Sequence, residues 1–111
     1  ILRPKFELVE DILAEELSGL EVARWTKPRG GYFISFETMP GCAKRTVSLC
    51  KEAGVVLTAA GAAFPYGIDP KNSNIRIAPS YPTLGELETA ARLFCLAVKI
   101  ASVENLLIRS V

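Results

Sequence analysis

The run Asn74-Ile75-Arg76-Ile77-Ala78-Pro79-Ser80 constrains the fold more tightly than any other part of the chain. As a strand it places Ile75 and Ile77 on one face and Asn74, Arg76 and Ala78 on the other, because successive side chains alternate across the pleat. Pro79 cannot donate to a ladder and biases Ala78 toward an extended conformation, so the strand stops there. Arg76 therefore leaves from just before the end of a rigid element. Its planar five-donor fork suits a carboxylate or a phosphate better than a lysine would. Two readings stand open from pattern alone: Arg76 meets an anion, or it is an edge-strand side chain that snorkels into water or pairs with a nearby glutamate.

The other elements read in order along the chain. Phe6, Val9, Leu13 and Leu17 make one apolar stripe, widened by Leu8 and Ile12, which predicts a helix from Lys5 to Ser18 stopped at Gly19. Leu20 to Trp25 predicts a short strand, and Tyr32 to Phe36 a stronger one. Pro28 and the Gly30-Gly31 pair between them mark a turn, so the two strands form a hairpin. Glu37 to Gly41 reads as loop and Cys42 to Ala53 as helix, with Ala43, Val47 and Cys50 or Leu49 inward and Gly54 as its end. Val55-Val56-Leu57 reads as a short apolar strand, and Thr58 to Ser73 as a long loop, a length that is uncommon without a functional reason. After the Asn74 strand, Thr83 is a good N-cap and Glu86 completes a capping box. Leu87, Ala91, Phe94, Val98 and Ala101 then form the inward stripe of a helix running to Leu107. The order α-β-β-α-β-β-α predicts an α+β fold, with helices packed on one side of a small, mainly antiparallel sheet.

At 111 residues the chain is read as one domain spanning 1–111. Half of it is hydrophobic and 23% is charged, which excludes a disordered chain and leaves apolar surface for a neighbour. A hydrophobic patch is expected on the first helix or the sheet edge. The 13 basic and 12 acidic residues nearly cancel and form no basic tract, so no nucleic-acid partner is expected. The most apolar stretch, Leu84 to Val98, is interrupted by Gly85, Glu86, Glu88 and Arg92, so no membrane partner is expected either. Cys42, Cys50 and Cys95 show no paired spacing and histidine is absent, which argues against a metal site or a disulfide framework. Cysteine used as a small core residue fits an intracellular, cytoplasmic protein. Without histidine, triads of the Ser-His-Asp or Cys-His kind cannot be assembled from this chain alone.

Taken together, Pro28-Arg29-Gly30-Gly31-Tyr32-Phe33, the Gly54 to Leu57 segment entering a Gly-rich loop with Phe64, the Tyr66-Gly67-Ile68-Asp69-Pro70 loop and the Asn74 to Ser80 strand before a long helix carry a resemblance. They resemble the C-terminal small domain of fold-type I pyridoxal-phosphate aminotransferases, in the aspartate aminotransferase-like branch related to the MocR-type group. The resemblance covers nearly the whole chain. It implies that Arg76 clamps the α-carboxylate of an amino-acid substrate, and that Gly31 and Tyr66 lie at the substrate pocket. It further implies a large domain on the same polypeptide, which binds pyridoxal 5'-phosphate, and a homodimer acting on an amino acid and a 2-oxo acid.

In that family the lysine that binds the cofactor belongs to the large domain, and no lysine here sits in a matching motif. Lys5, Lys27, Lys44, Lys51, Lys71 and Lys99 read as solvated groups. The chain is thus expected to be a piece of a longer enzyme, with no catalytic or cofactor-binding residue of its own, and to be inactive alone. The alternative is a non-catalytic, ligand-sensing or interaction module that keeps the aminotransferase shape, since intact MocR-type regulators join such a region to a DNA-binding domain.

Overall fold

The computed structural model describes residues 2–26, 33–56, 58–60, 69–79 and 81–109. Helix α1 (Leu2–Leu17) is followed by strands β1 (Ala23–Thr26) and β2 (Ile34–Thr38), helix α2 (Ala43–Glu52), strands β3 (Thr58–Ala60) and β4 (Asn74–Ile77), and helix α3 (Leu84–Arg109). The strands form one sheet in the order β1-β2-β4-β3, and every neighbouring pair is antiparallel. The α+β order read from the sequence is the order observed.

Alternation decides what each strand does. Ile34 and Phe36 on β2 and Ile75 and Ile77 on β4 share the face covered by the helices, and all four are fully buried. The Phe36 ring meets Phe94 of α3 edge-on at 4.9 Å and lies parallel to Trp25 at 6.1 Å, favourable aromatic geometries. From the other side the core is closed by Val9, Ile12, Leu13 and Leu17 of α1 and by Leu87, Ala91, Phe94 and Val98 of α3. The stripe predicted for α3 is buried throughout, and of that predicted for α1 Val9, Ile12, Leu13 and Leu17 are buried while Phe6 and Leu8 are half-buried against the core.

Helix ends follow local chemistry. Gly19 (φ +84°) and Gly54 (φ +80°) adopt the left-handed conformation that ends α1 and α2 and that glycine adopts without steric cost. The Thr83 hydroxyl oxygen accepts from the Glu86 N–H (3.2 Å) while its proton goes to the Glu86 carboxylate (2.9 Å), which caps α3. Across the outer surface of α1 and α3, Glu16 accepts from Lys99 (2.8 Å) and Arg92 (2.9 Å), tying the two helices together.

Three expectations need correction. The strand expected at Val55 to Leu57 lies three residues on, at Thr58–Ala60. The Val55 N–H closes the α2 terminus on the Cys50 carbonyl and the Val56 N–H is taken by the Tyr81 hydroxyl, so neither is free for a ladder. Glu37 and Thr38 extend β2 instead of starting a loop, because Asn74 at the start of β4 lies opposite Glu37. Among the described side chains the exposed large apolar ones sit chiefly on the outer face of α3 (Leu96, Ile100, Val103, Leu107) and none is on α1, so the first-helix alternative for the patch is not found. Most of the α1 stripe is taken up by the core it shares with α3 and the sheet.

Candidate functional site

The open face of the sheet is built from the residues between those of the core. Arg76 on β4 lies opposite Ser35 on β2 and opposite Ala59 on β3, and Asn74 lies opposite Glu37. Of these, Ser35, Glu37, Asn74 and Arg76 are half-buried or buried and carry hydrogen-bonding side chains, unlike the apolar row behind them. A depression of about 120 Å³ beside them is lined by Arg24, Trp25, Thr26, Ser35 and Glu37.

Two acids organise this face. The Asn74 side-chain amide donates to Glu37 Oε1 (3.0 Å) and to Ser35 Oγ (3.3 Å), and the Ser73 hydroxyl donates to Glu37 Oε2 (2.9 Å). Both Glu37 oxygens are thereby engaged along the start of β4. Asp69 accepts from the backbone N–H groups of Lys71 (3.2 Å), Ser73 (2.8 Å) and Asn74 (2.7 Å). Burial pushes the Asp69 carboxyl up, but these hydrogen bonds outweigh it and hold the group below its ordinary value.

The turn that Asp69 closes is also fastened to α2. Asn72 takes a left-handed conformation (φ +49°), its carbonyl accepts from the Gly41 and Ala43 N–H groups, and its side-chain oxygen accepts from the Lys44 N–H (2.9 Å). Cys42, the residue at the N-cap position, makes no side-chain cap. Asn72 satisfies those helix-terminal donors from 28 residues away in sequence. The turn and β4 are thus held from both sides.

Arg76 sits at the far end of this frame. The carbon of its guanidinium lies 3.7 Å from the centroid of the Phe33 ring, within cation–π range. Its Nε is buried and has no hydrogen-bond partner among the described residues. A buried donor left without an acceptor costs about 1–3 kcal/mol. Glu37, the acid on the same face, is occupied by Asn74 and Ser73.

Of the residues expected at a substrate pocket, Arg76 is placed as described, and Gly31 and Tyr66 lie outside the described residues, as do Lys27, Arg29 and Phe64. The frame made by Asp69, Ser73, Asn74 and Glu37 escaped the sequence reading because Glu37 reads there as loop. The available signal was Asn74, which shares the strand face of Arg76 and has no reason to sit beside it unless it is hydrogen-bonded.

Among the described residues no group of three or more His, Cys, Asp or Glu side chains is placed to hold a metal ion, and no helix is long and apolar enough to cross a membrane. The cysteines are buried and unpaired; burial pushes the Cys50 thiol up to about 11 and the Cys95 thiol to about 12, which disfavours the nucleophilic thiolate.

Comparison with known proteins adds a consistent result. The family model described as aspartate amino-transferase matches residues 1–109. The chain is 47% identical over 104 residues to an aspartate aminotransferase of Corynebacterium glutamicum, covering 94% of this chain and 24% of that protein. The crystal structure of an aspartate transaminase from the same organism superposes with a TM-score of 0.88 over 94% of this chain and 24% of that one. A provisionally named aminotransferase of Corynebacterium diphtheriae has 53% identity and a TM-score of 0.87, over 93% of this chain and 25% of that one. The chain spans about a quarter of the length of the curated relatives it matches.

Proposed function

The chain belongs to the aspartate amino-transferase family, and from that premise we propose that it is the small domain of an amino-acid:2-oxo-acid aminotransferase in which Arg76 binds the substrate's α-carboxylate. The observation that carries this reading is the Arg76 guanidinium itself, whose buried Nε has no partner among the described residues and which makes no ion pair with Glu37, the acid of its own sheet face, whose oxygens accept from Asn74 and Ser73. A carboxylate would satisfy that donor and complete a charge-assisted pair. Held by a strand end whose turn is braced by Asp69 and Asn72, the pair would fix the orientation of the substrate's Cα–H bond.

Pyridoxal phosphate supplies the electron sink for such a reaction when bound. The residues described here do not fit that cofactor: Lys44, Lys51 and Lys71 are exposed on the surface and Lys99 is paired with Glu16. Its binding groups, including the catalytic lysine, are assigned to the large domain of the longer polypeptide, as in a fold-type I enzyme that works as a cytoplasmic homodimer. The 111-residue chain by itself is accordingly expected to be inactive.

The test is to express the full coding sequence and follow the visible absorbance of the lysine-bound cofactor as candidate amino acids are added. A loss of that band with matching oxo-acid formation supports the reading. Arg76→Ala in the same protein is expected to weaken amino-acid recognition by about 2–5 kcal/mol, roughly thirty- to several-thousand-fold. Unchanged turnover of both the amino acid and the oxo acid in that variant would overturn the assignment. A full-length protein with no cofactor band that still binds amino acids would instead identify a sensing module.

A further inference from the structure

Arginine that binds a ligand must be held in place without being neutralised. A carboxylate neighbour orients a guanidinium well but occupies the N–H groups that the ligand needs. On this sheet face the acid nearest in register, Glu37, is tied to Asn74 and Ser73 instead. A side chain that does meet the Arg76 guanidinium is aromatic: Phe33, one residue before β2 and diagonal to Arg76 across the β2–β4 pairing, with its ring centroid 3.7 Å from the guanidinium carbon.

Resting on the assignment of Arg76 above, we infer that Phe33 is a positioning residue for substrate binding, which orients the guanidinium through its face and leaves the in-plane N–H edge to a carboxylate. The geometry has a simple logic. All five N–H bonds of a guanidinium lie in its plane, so a ring stacked on one face takes none of them. The stack restricts the long side chain before the ligand arrives, and less rotamer freedom remains to be lost on binding. It also screens one side of the charge from water, which strengthens the pair with an incoming anion. The arrangement favours a flat anion approaching edge-on, as the carboxylates of an amino acid and of a 2-oxo acid both do.

The test uses the full-length enzyme with the variants F33L, F33M, F33Y, R76K and F33L/R76K, and separates KM from kcat. F33L and F33M keep apolar bulk without a ring and are expected to raise KM for the amino acid and the 2-oxo acid about three- to thirty-fold, with kcat within about twofold. F33Y keeps the ring and should stay within about threefold of the parent. In the R76K background the F33L effect should largely vanish, because the flat partner of the ring is gone. The same KM factor for F33L in both backgrounds would overturn the inference, since a merely structural role acts regardless of residue 76. If F33L does not accumulate in folded form, F33M and F33Y decide: equal KM in these two also overturns it. Unchanged KM in the Phe33 variants beside a large rise in R76K sinks only the role of Phe33, whereas unchanged KM in R76K sinks the reading of Arg76 on which it rests.

Discussion

The covered and open faces of the sheet are made from alternate residues of the same strands, yet they are held by different forces. Ile34, Phe36, Ile75 and Ile77 bury their whole side chains against the helices, where the interaction is non-directional and scales with area removed from water. One position over, Ser35, Glu37 and Asn74 are joined by specific hydrogen bonds, and Arg76 rests on the Phe33 ring with a donor left over. The first face stores stability. The second holds a charged group against an aromatic ring and leaves its Nε without a partner among the described residues, the feature on which the proposed ligand role rests.

That contrast can be broken most forcefully from the covered side. Phe36→Ala removes a ring packed against both Trp25 and Phe94 and is expected to lose about 3–5 kcal/mol of unfolding free energy, read from a urea titration of the folded protein. Asp69→Ala should cost less, about 1–2 kcal/mol, by stripping the acceptor from three backbone N–H groups at the start of β4.

The same carboxylate gives a pH signature. Its folded pKa is depressed, so its contribution is complete above the ordinary Asp value of about 3.9 and is lost as pH falls through the lower folded value. Urea midpoints measured down an acid series should therefore converge for the parent and the Asp69→Ala protein at the acid end and separate above it. Persistent separation at the acid end would contradict the role given to the carboxylate. Thr83→Ala, which removes the cap of α3 and touches neither face, should cost about 1 kcal/mol by the same titration.

Arg76→Met sharpens the comparison by its small effect on the fold. It should change unfolding free energy by less than about 1 kcal/mol, because it removes a donor that the described protein leaves unpartnered. A loss as large as that of Phe36→Ala would mean that Arg76 serves the fold, and the open face would lose its distinction from the covered one. Smallest of all should be Glu16→Gln on the outer helical surface, where the Lys99 hydrogen bond and charge, with Arg92, hold a half-buried carboxyl below its ordinary range. Its effect on the melting temperature should shrink further in high salt.

Much of this was legible from the residues. The inward stripe of α3 and the division of Asn74 to Ile77 into two faces follow from periods of 3.6 and 2, and both are found as read. The misplaced third strand has a different cause. Val55 and Val56 have the composition of a strand, but their N–H groups are claimed by the Cys50 carbonyl and by Tyr81, the latter 25 residues away. Composition reports what a segment would bury and says nothing about a distant competitor for its hydrogen bonds. The exposed stripe of α3 was missed for a related reason: high apolar content suggests surplus surface without saying which helix is left uncovered.

By itself the sequence determined the order of elements, the covered face and the strand position of Arg76, because these depend on local periodicity, on Pro79 and on glycine at the helix ends. Tertiary structure alone decided that Glu37 would be engaged by Asn74 and Ser73, that Asn72 would cap a helix 28 residues before it, in place of Cys42, and that the Phe33 ring would lie under the carbon of the Arg76 guanidinium. Each of these joins residues whose separation in the chain carries no information about their distance in space. Hydrogen bonds and ring contacts depend on angle and on tenths of an ångström, and only the register of packed strands sets those.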